Sequence, residues 1–560
     1  MPAMLPRMSR LVSDLTGRAA VENEHEEGCR SMRKLLFLIL MISVLSGCAS
    51  LPLNYPRTST TALPQPEETS LWRRIQPQID GHPGESGFYL LPSGIDAFVA
   101  RILLINAAER TLDLQYYIFH GHIAAKLVVD RLLAAADRGV RIRLLVDDWN
   151  IQGKDYILAM IDNHPNIEVR VFNPVAGSRS SSLSRPLHYL FGAKRIKNRM
   201  HNKAFVVDNT IAIVGGRNIG DEYFQAQQDV NFEDMDLIAM GPIAKEVSTG
   251  FDEYWNHELA IPIRAFVSRE PAAEDVQKVR LMLDQHREAM KATEYGRKLR
   301  ESDLVKRLGV GQLFLAWAKG EVLYDRPGRV NTPGDLDSSS SMAPRLREII
   351  VGAQSEALII SPYFVPREGG VKLFGRMRDR GVKVKILTNS LASNDVPIAH
   401  GGYARYRKDL LRMGVDLFEL RPVPGQRKEK DLTHWGGSSG AALHAKTFIL
   451  DRKVLFVGTL NLDPRSVWYD TQNGIVVRNE TLAEQAARFF EESTSMHRAF
   501  RVALGTSSKE GSGSPSVGTG LEWVAEENGK EVRYFREPET GLWRRISVKI
   551  LSLFAPEKML

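Results

Sequence analysis

One pattern occurs twice in this chain. Residues 201–218 read HNKAFVVDNTIAIVGGRN, and residues 444–461 read HAKTFILDRKVLFVGTLN. Both fit H-x-K-x4-D-x6-G-x2-N, and the second histidine follows the first by 243 residues. The flanks repeat as well. TLDLQYYIF (111–119) reads as a buried strand and HIAAKLVVDRLLAAADRG as a helix stopping at Gly139. VRIRLLVDD (140–148) reads as a second strand. In the other half ALIISPYFV, VKLFGRMRDRG and VKVKILTNS follow the same order, and Arg138-Gly139-Val140 returns as Arg380-Gly381-Val382, 242 residues on. A register kept over that distance predicts two copies of one α/β unit, related by a pseudo-two-fold.

The residue types at this spacing carry a chemistry. Residues i and i+2 of a strand share a face, so His and Lys of each motif point the same way. Pairing two such strands would bring two imidazoles, two ammonium groups and two Asn amides together. No carboxylate pair accompanies them in the motif, so neither a metal nor another cofactor is expected. A cluster of donors suits a phosphodiester: Lys and Asn orient and neutralise its oxygens while histidine does covalent and acid–base work. Histidine titrates near ~6.5, so one copy can be a neutral nucleophile and the other a protonated acid. Lysine is almost never buried unpaired, so its recurrence beside both histidines points to function. The candidate catalytic set is His201, Lys203, Asp208, His444, Lys446 and Asp451, with Asn218 and Asn461 as phosphate-binding candidates.

At these residues the chain resembles the phospholipase D superfamily, whose signature is this duplicated HKD motif, over about residues 85 to 500. The resemblance implies two α/β/α lobes with one metal-free active site between them. It also implies that His201 attacks phosphorus to form a phosphohistidine, and that His444 protonates the leaving alcohol. Lys203, Lys446, Asn218 and Asn461 would cradle the phosphate. Asp208 and Asp451, five residues past their lysines, are read as structural. Two positions depart from the family pattern: Gly216 and Thr459 stand where many members have Ser, and Gln472 (in YDTQNGIVV) where a Glu orienting a histidine is expected. Asp470 and Asp236 are the candidate substitutes for that Glu.

GGRNIGDEYF (215–224), TLNLDPRSVW (459–468) and HWGGSSGAALHAK (434–446) further resemble bacterial cardiolipin synthases of the C type. That likeness implies phosphatidyl transfer to a lipid alcohol such as phosphatidylglycerol. The catalytic residues alone leave open water as acceptor, which would make a phospholipase D, and a nuclease.

The rest of the 560 residues frames this body. Met32 begins MRKLLFLILMISVLSGCAS, with Arg33 and Lys34, an eleven-residue apolar run and Leu-Ser-Gly-Cys. That run is too short to span a bilayer and fits an export signal ending in a lipobox, with Cys48 as the lipidated residue. Residues 1–47 are then leader and signal peptide, and 48–75, rich in Pro, Thr and Ser, a tether. Repeat 1 is placed at 76–262, a helical linker at 263–305, repeat 2 at 306–503, and a spacer, hairpin and basic tail at 504–560. Lys+Arg 74 against Asp+Glu 67 gives +7, a mild preference for anionic surfaces. Two cysteines in all exclude a disulfide scaffold. In the tail, GLWRRISVKILSLFAP sets Leu542, Trp543, Ile546, Ile550, Leu553 and Phe554 against Arg544, Arg545 and Lys549, as in a helix lying on anionic lipid. LHYLFGAKRIKNRMHNK (187–203) is a second candidate for headgroup contact. The expected partners are phospholipids and a membrane surface, with an accessory protein possible and nucleic acid not expected. The expected place is the bacterial cell envelope, facing the periplasm.

Overall fold

A computed structural model describes residues 33–34, 37, 51–151, 153–175, 197–227, 231–331, 339–422, 442–505 and 520–554. Residues 53–174 and 194–560 form one compact body. Met1–Pro52 and Val175–Ala193 form a second unit, in which Arg33, Lys34 and Phe37 are helical and exposed. Cys48 and most of residues 187–203 lie outside the described residues, as does the 506–519 spacer. No helix among the described residues is long and apolar enough to cross a membrane.

The body is built on two sheets. In the first lobe the strands are β1 (Ser86–Leu91), β2 (Thr111–Tyr116), β3 (Arg141–Asp147), β4 (Ile167–Phe172), β5 (Ala204–Val207), β6 (Ile211–Gly215), β8 (Asp236–Met240), β9 (Ala260–Pro262) and β10 (Ala316–Ala318). A two-residue strand, β7 (Phe232–Glu233), stands apart from them. In the second lobe they are β11 (Gly320–Tyr324), β12 (Glu356–Ile360), β13 (Lys383–Asn389), β14 (Asp416–Leu420), β16 (Thr447–Leu450), β17 (Val454–Gly458), β18 (Asn473–Arg478) and β19 (Ala499–Leu504). That lobe also holds the short β15 (Ala442–Leu443). The spatial orders are β1-β8-β6-β5-β2-β3-β4-β9 and β11-β18-β17-β16-β12-β13-β14-β19, with β10 added at the β1 edge of the first. Position by position, the second order repeats the first. In both, the β2–β3–β4 or β12–β13–β14 trio is parallel and the motif hairpin β5–β6 or β16–β17 is antiparallel. The duplication is thus one of topology as well as sequence.

Strand alternation sorts the core. In β5, Ala204 and Val206 face a core shared with Ile449, Leu455 and Val457 of the other lobe, while Phe205 and Val207 face the first lobe's own helices. Helices Pro242–Trp255 and Glu480–Ser493 join that shared core through Ile243, Val247, Leu482 and Phe490. Each sheet is therefore covered on both faces, and the two lobes close on each other through apolar contact.

The tether and the helical linker both pack on the first lobe. Along the tether, Arg143 donates to Thr60 O (2.8 Å), Arg170 to Thr58 O (2.7 Å), and Asp252 accepts from Ala62 N (2.8 Å). Buried arginines on β3 and β4 need acceptors, and the tether's carbonyls supply them, so this stretch is seated on the first lobe. The polar stretch from 269 to 305 folds as helices Ala273–Lys291, Glu294–Arg300 and Asp303–Gly309. They attach to the first lobe through Arg280–Asp137 and Arg287–Asp130 pairs, with Leu283 and Leu304 in its core.

The C-terminal hairpin forms as read. Strands β20 (Leu521–Glu527) and β21 (Lys530–Tyr534) extend the second sheet beyond β19, and Asn528 and Gly529 adopt φ of 52° and 74° at the turn.

Candidate active site

Each H-x-K triplet lies immediately before its strand in extended chain, not within a ladder as the alternation predicted. The reason is that its backbone pairs with the opposite lobe. His201 N–H donates to Thr471 O (2.9 Å), and Lys203 N–H donates to Asn473 Oδ1 (3.0 Å) while Asn473 Nδ2 returns a bond to Lys203 O (3.0 Å). On the other side His444 N–H donates to Glu233 O (2.8 Å), next to the short parallel pair β15–β7. Neither motif completes its hydrogen bonding without the other lobe, so the site is a property of the assembled pair.

The histidine side chains cross over in the same way. His201 Nδ1 sits 2.9 Å from Gln472 Oε1, and His444 Nδ1 sits 2.6 Å from Asp234 Oδ2. Each acceptor belongs to the opposite lobe, which fixes both Nδ1 atoms as donors and leaves each Nε2 for chemistry. Gln472 Oε1 also accepts from Thr459 Oγ1 (2.7 Å), which holds the amide's oxygen towards the histidine. Tyr117 packs edge-on against His201, and Tyr223 and Phe232 pack against His444. These rings limit rotation of both imidazoles.

The two lysines are almost wholly buried, and each Nζ turns back to the carbonyl of its own histidine: Lys203 to His201 O (2.8 Å) and Lys446 to His444 O. Burial, reinforced by the charge of Lys446, pushes Lys203 well below the usual lysine range; burial brings Lys446 to about 8. Burial pulls His201 well down, and Lys203 and Lys446 pull it further. His444 is lowered by burial and Lys446, but Asp234 pulls the other way. Burial pushes Asp234 up, yet His444, Lys446 and Arg217 overcome it and hold the carboxyl at about 2. The site is thus a buried cluster of basic groups whose charged forms need an anion, with one carboxylate behind one of its two histidines.

Asn218 and Asn461 follow their strands into the same region. Asn218 accepts from Ile118 N (3.0 Å) and donates to Tyr223 OH (2.8 Å), leaving one amide hydrogen. Asn461 donates to Ser466 Oγ at 3.4 Å, and its buried Oδ1 has no partner among the described residues. The motif aspartates lie apart from the histidines and tie down strand starts. Asp208 accepts from the backbone N–H groups of Glu109, Arg110 and Thr111, and Asp451 from those of Gln354, Ser355 and Glu356.

The substitutes considered for the missing Glu are corrected by this geometry. Asp236 is buried against Arg101 (2.9 Å) and Arg217, and Asp470 accepts from Arg199 N and Arg465. Neither bonds a motif histidine. Gln472 itself holds His201, and Asp234, two residues before the candidate Asp236, holds His444. Register makes them equivalent: Gly215 pairs with Asp236 and Gly458 with Gly474, so Asp234 and Gln472 each lie two residues earlier. Gly216 also gains a reason, because a Cβ there would collide with the Asp234 carboxylate.

The family model and the sequence relatives agree with this architecture. The family model "Cardiolipin synthase, PLD-like domain" matches residues 102–255 and 346–494, one match per lobe. Cardiolipin synthase C of Escherichia coli (strain K12) is 41% identical over 87% of this chain and 98% of its own length. Cardiolipin synthase B of the same strain is 23% identical over 70% of this chain and 78% of its own. Among solved structures, phosphatidylserine synthase of Haemophilus influenzae Rd KW20 aligns with a TM-score of 0.49 at 13% identity, covering 77% of this chain and 92% of that one. With a duplicated fold, a paired H-x-K site and matches over both lobes, the chain belongs to the phospholipase D-like family of cardiolipin synthases.

Proposed function

We propose that this protein is a phosphatidyltransferase that makes cardiolipin from phosphatidylglycerol and a second phospholipid, through a phosphohistidine on His201. The observation that carries the reading is the unlike pairing of the two histidines. A neutral amide behind His201 gives no charge to stabilise an imidazolium, so that ring stays neutral with its Nε2 lone pair available. The carboxylate behind His444 makes that ring the first to take a proton when an anionic phosphodiester enters.

In the first half-reaction His201 Nε2 bonds to phosphorus, the bond from phosphorus to the headgroup oxygen breaks, and His444 Nε2–H gives its proton to the leaving oxygen. In the second, His444 takes the proton from the acceptor glycerol hydroxyl, the new oxygen–phosphorus bond forms, and His201 leaves as a neutral ring. Lys203 and Lys446 meet the charge that builds on the non-bridging oxygens, with the free amide hydrogen of Asn218 and the amide of Asn461. The 41% identity to a cardiolipin synthase over nearly its full length supports a lipid alcohol as acceptor. The test is lipid mass spectrometry of cells lacking their own cardiolipin synthases. Cardiolipin should appear with the wild-type chain and not with His201→Ala. Phosphatidic acid in its place would make water the acceptor, and no change in any lipid would point to a missing accessory protein or to another substrate such as nucleic acid.

The export reading belongs to the same proposal. Lipidation at Cys48 would hold the body at a membrane of the cell envelope, facing the periplasm. Incorporation of labelled fatty acid that persists in Cys48→Ser would remove the anchor.

A further inference from the structure

The C-terminal helix Leu542–Phe554 leaves a row of large apolar side chains in the open. Leu542 is 62% exposed, Trp543 80%, Ile546 37% and Ile550 50%. At about 100° per residue these four fall on one arc of about a quarter of the helix. Arg545 and Lys549 flank that arc on one side, and the helix contains no carboxylate. Its opposite side is anchored. Val548 is buried, and Arg544 donates to Asn394 O at 2.6 Å where the helix packs on Pro397–Ala404, which exposes Ile398. The anchor leads inward: Asp395, beside Asn394, accepts from Tyr363 OH (2.9 Å) and lies near enough to Lys446 to act on its charge.

We propose that this helix is a docking surface for an anionic phospholipid bilayer, with its apolar arc at the boundary of headgroups and acyl chains and its cations on lipid phosphates. Three features select a bilayer over a second protein. A Trp at the helix start is the interfacial side chain par excellence, amphipathic and large. Every charge on the helix is positive, which complements anionic headgroups. The helix's other face is latched to the Asn394–Asp395 loop, whose carboxylate acts on Lys446, so a bilayer held there lies against the same lobe as the second motif. This deepens the phospholipid reading of the site, which supplies the substrate class.

The test places an environment-sensitive fluorophore on the full chain through Ile550→Cys, with Cys29 and Cys48 changed to Ser. A control probe goes on the hairpin through Lys530→Cys. With phosphatidylglycerol vesicles the helix probe should shift to the blue and be quenched by brominated acyl chains, while the control stays unchanged. Arg545→Gln/Lys549→Gln should weaken the response about tenfold at low salt and much less at high salt. On the unlabelled chain Trp543→Ala/Ile546→Ser should cut turnover of vesicle phosphatidylglycerol about tenfold and leave turnover of dispersed short-chain phosphatidylglycerol unchanged. No blue shift with anionic vesicles overturns the proposal, as does a shift that tracks protein concentration without vesicles, since the arc would then meet a second copy. A normal shift with no turnover of either lipid supports docking and counts against the transfer reading.

Discussion

The two histidine pockets share a backbone frame and differ in the group behind the ring. Both rings receive an oxygen on Nδ1 from the opposite lobe, at 2.9 Å for His201 and 2.6 Å for His444. Behind His201 that oxygen belongs to an amide steadied by Thr459; behind His444 it belongs to a carboxylate held at about 2. A symmetric fold with two like carboxylates would leave the proton's position undecided. With Gln472 in place of one of them, only the ring backed by a carboxylate gains from becoming cationic, and the proposed mechanism rests on that difference. The duplication supplies the frame, and the proposed division of roles rests on the break in symmetry.

Removing either ring is the largest expected effect. His201→Ala and His444→Ala should each lower phosphatidyl transfer by at least about 10³-fold, measured with a natural phospholipid donor. Asp234→Asn comes next. It leaves the geometry but makes the two pockets alike, and transfer should fall by about 10²–10⁴-fold, the usual worth of a placed general acid. A loss smaller than tenfold would mean that the asymmetry does not direct the proton.

Gln472→Glu makes the pockets alike in the other direction. In the proposed mechanism activity needs neutral His201, so it is lost as pH falls through that ring's pKa. A new carboxylate raises that pKa, and the acidic limb of the pH–rate profile should move to higher pH, with activity at alkaline pH less affected. An unmoved limb would contradict the assignment of His201 as the neutral partner. The smallest effects fall on stability. Asp208→Ala strands three backbone N–H groups, that of Thr111 buried and those of Glu109 and Arg110 part-buried, and should cost about 3 kcal/mol by denaturant unfolding. Asp451→Ala should cost less, about 1–2 kcal/mol, because water can reach the groups it leaves at Gln354 and Ser355.

Much of this arrangement is legible in the sequence because it is local. H-x-K, the trailing glycine and the asparagine occupy fixed offsets along one hairpin, so their repetition reports two equivalent hairpins directly. Asp208 and Asp451 are likewise readable as structural from their place five residues past each lysine, on the opposite strand face. What the sequence hides is everything supplied by the other lobe. Asp234 precedes its histidine by 210 residues and sits in FEDMD, where Asp236 is an equally acidic neighbour. Only the strand register decides between them, and the same count along YDTQNG would have matched Gln472 to Asp234. The alternation within H-x-K predicted a ladder between the two motifs. The structure instead spends those N–H groups on Thr471 and Glu233 of the opposite lobe, a pairing that no local pattern encodes.

The most direct test of the central assignment uses a phosphatidyl donor whose leaving group is p-nitrophenolate, which departs without a proton. His444→Asn should then release one equivalent of p-nitrophenolate in a burst and stall, since no base remains to activate the acceptor. Mass spectrometry should find the phosphatidyl group on the peptide that carries His201. His201→Asn should give no burst and no adduct. A burst in His201→Asn with the adduct on His444 would reverse the two roles and contradict the account.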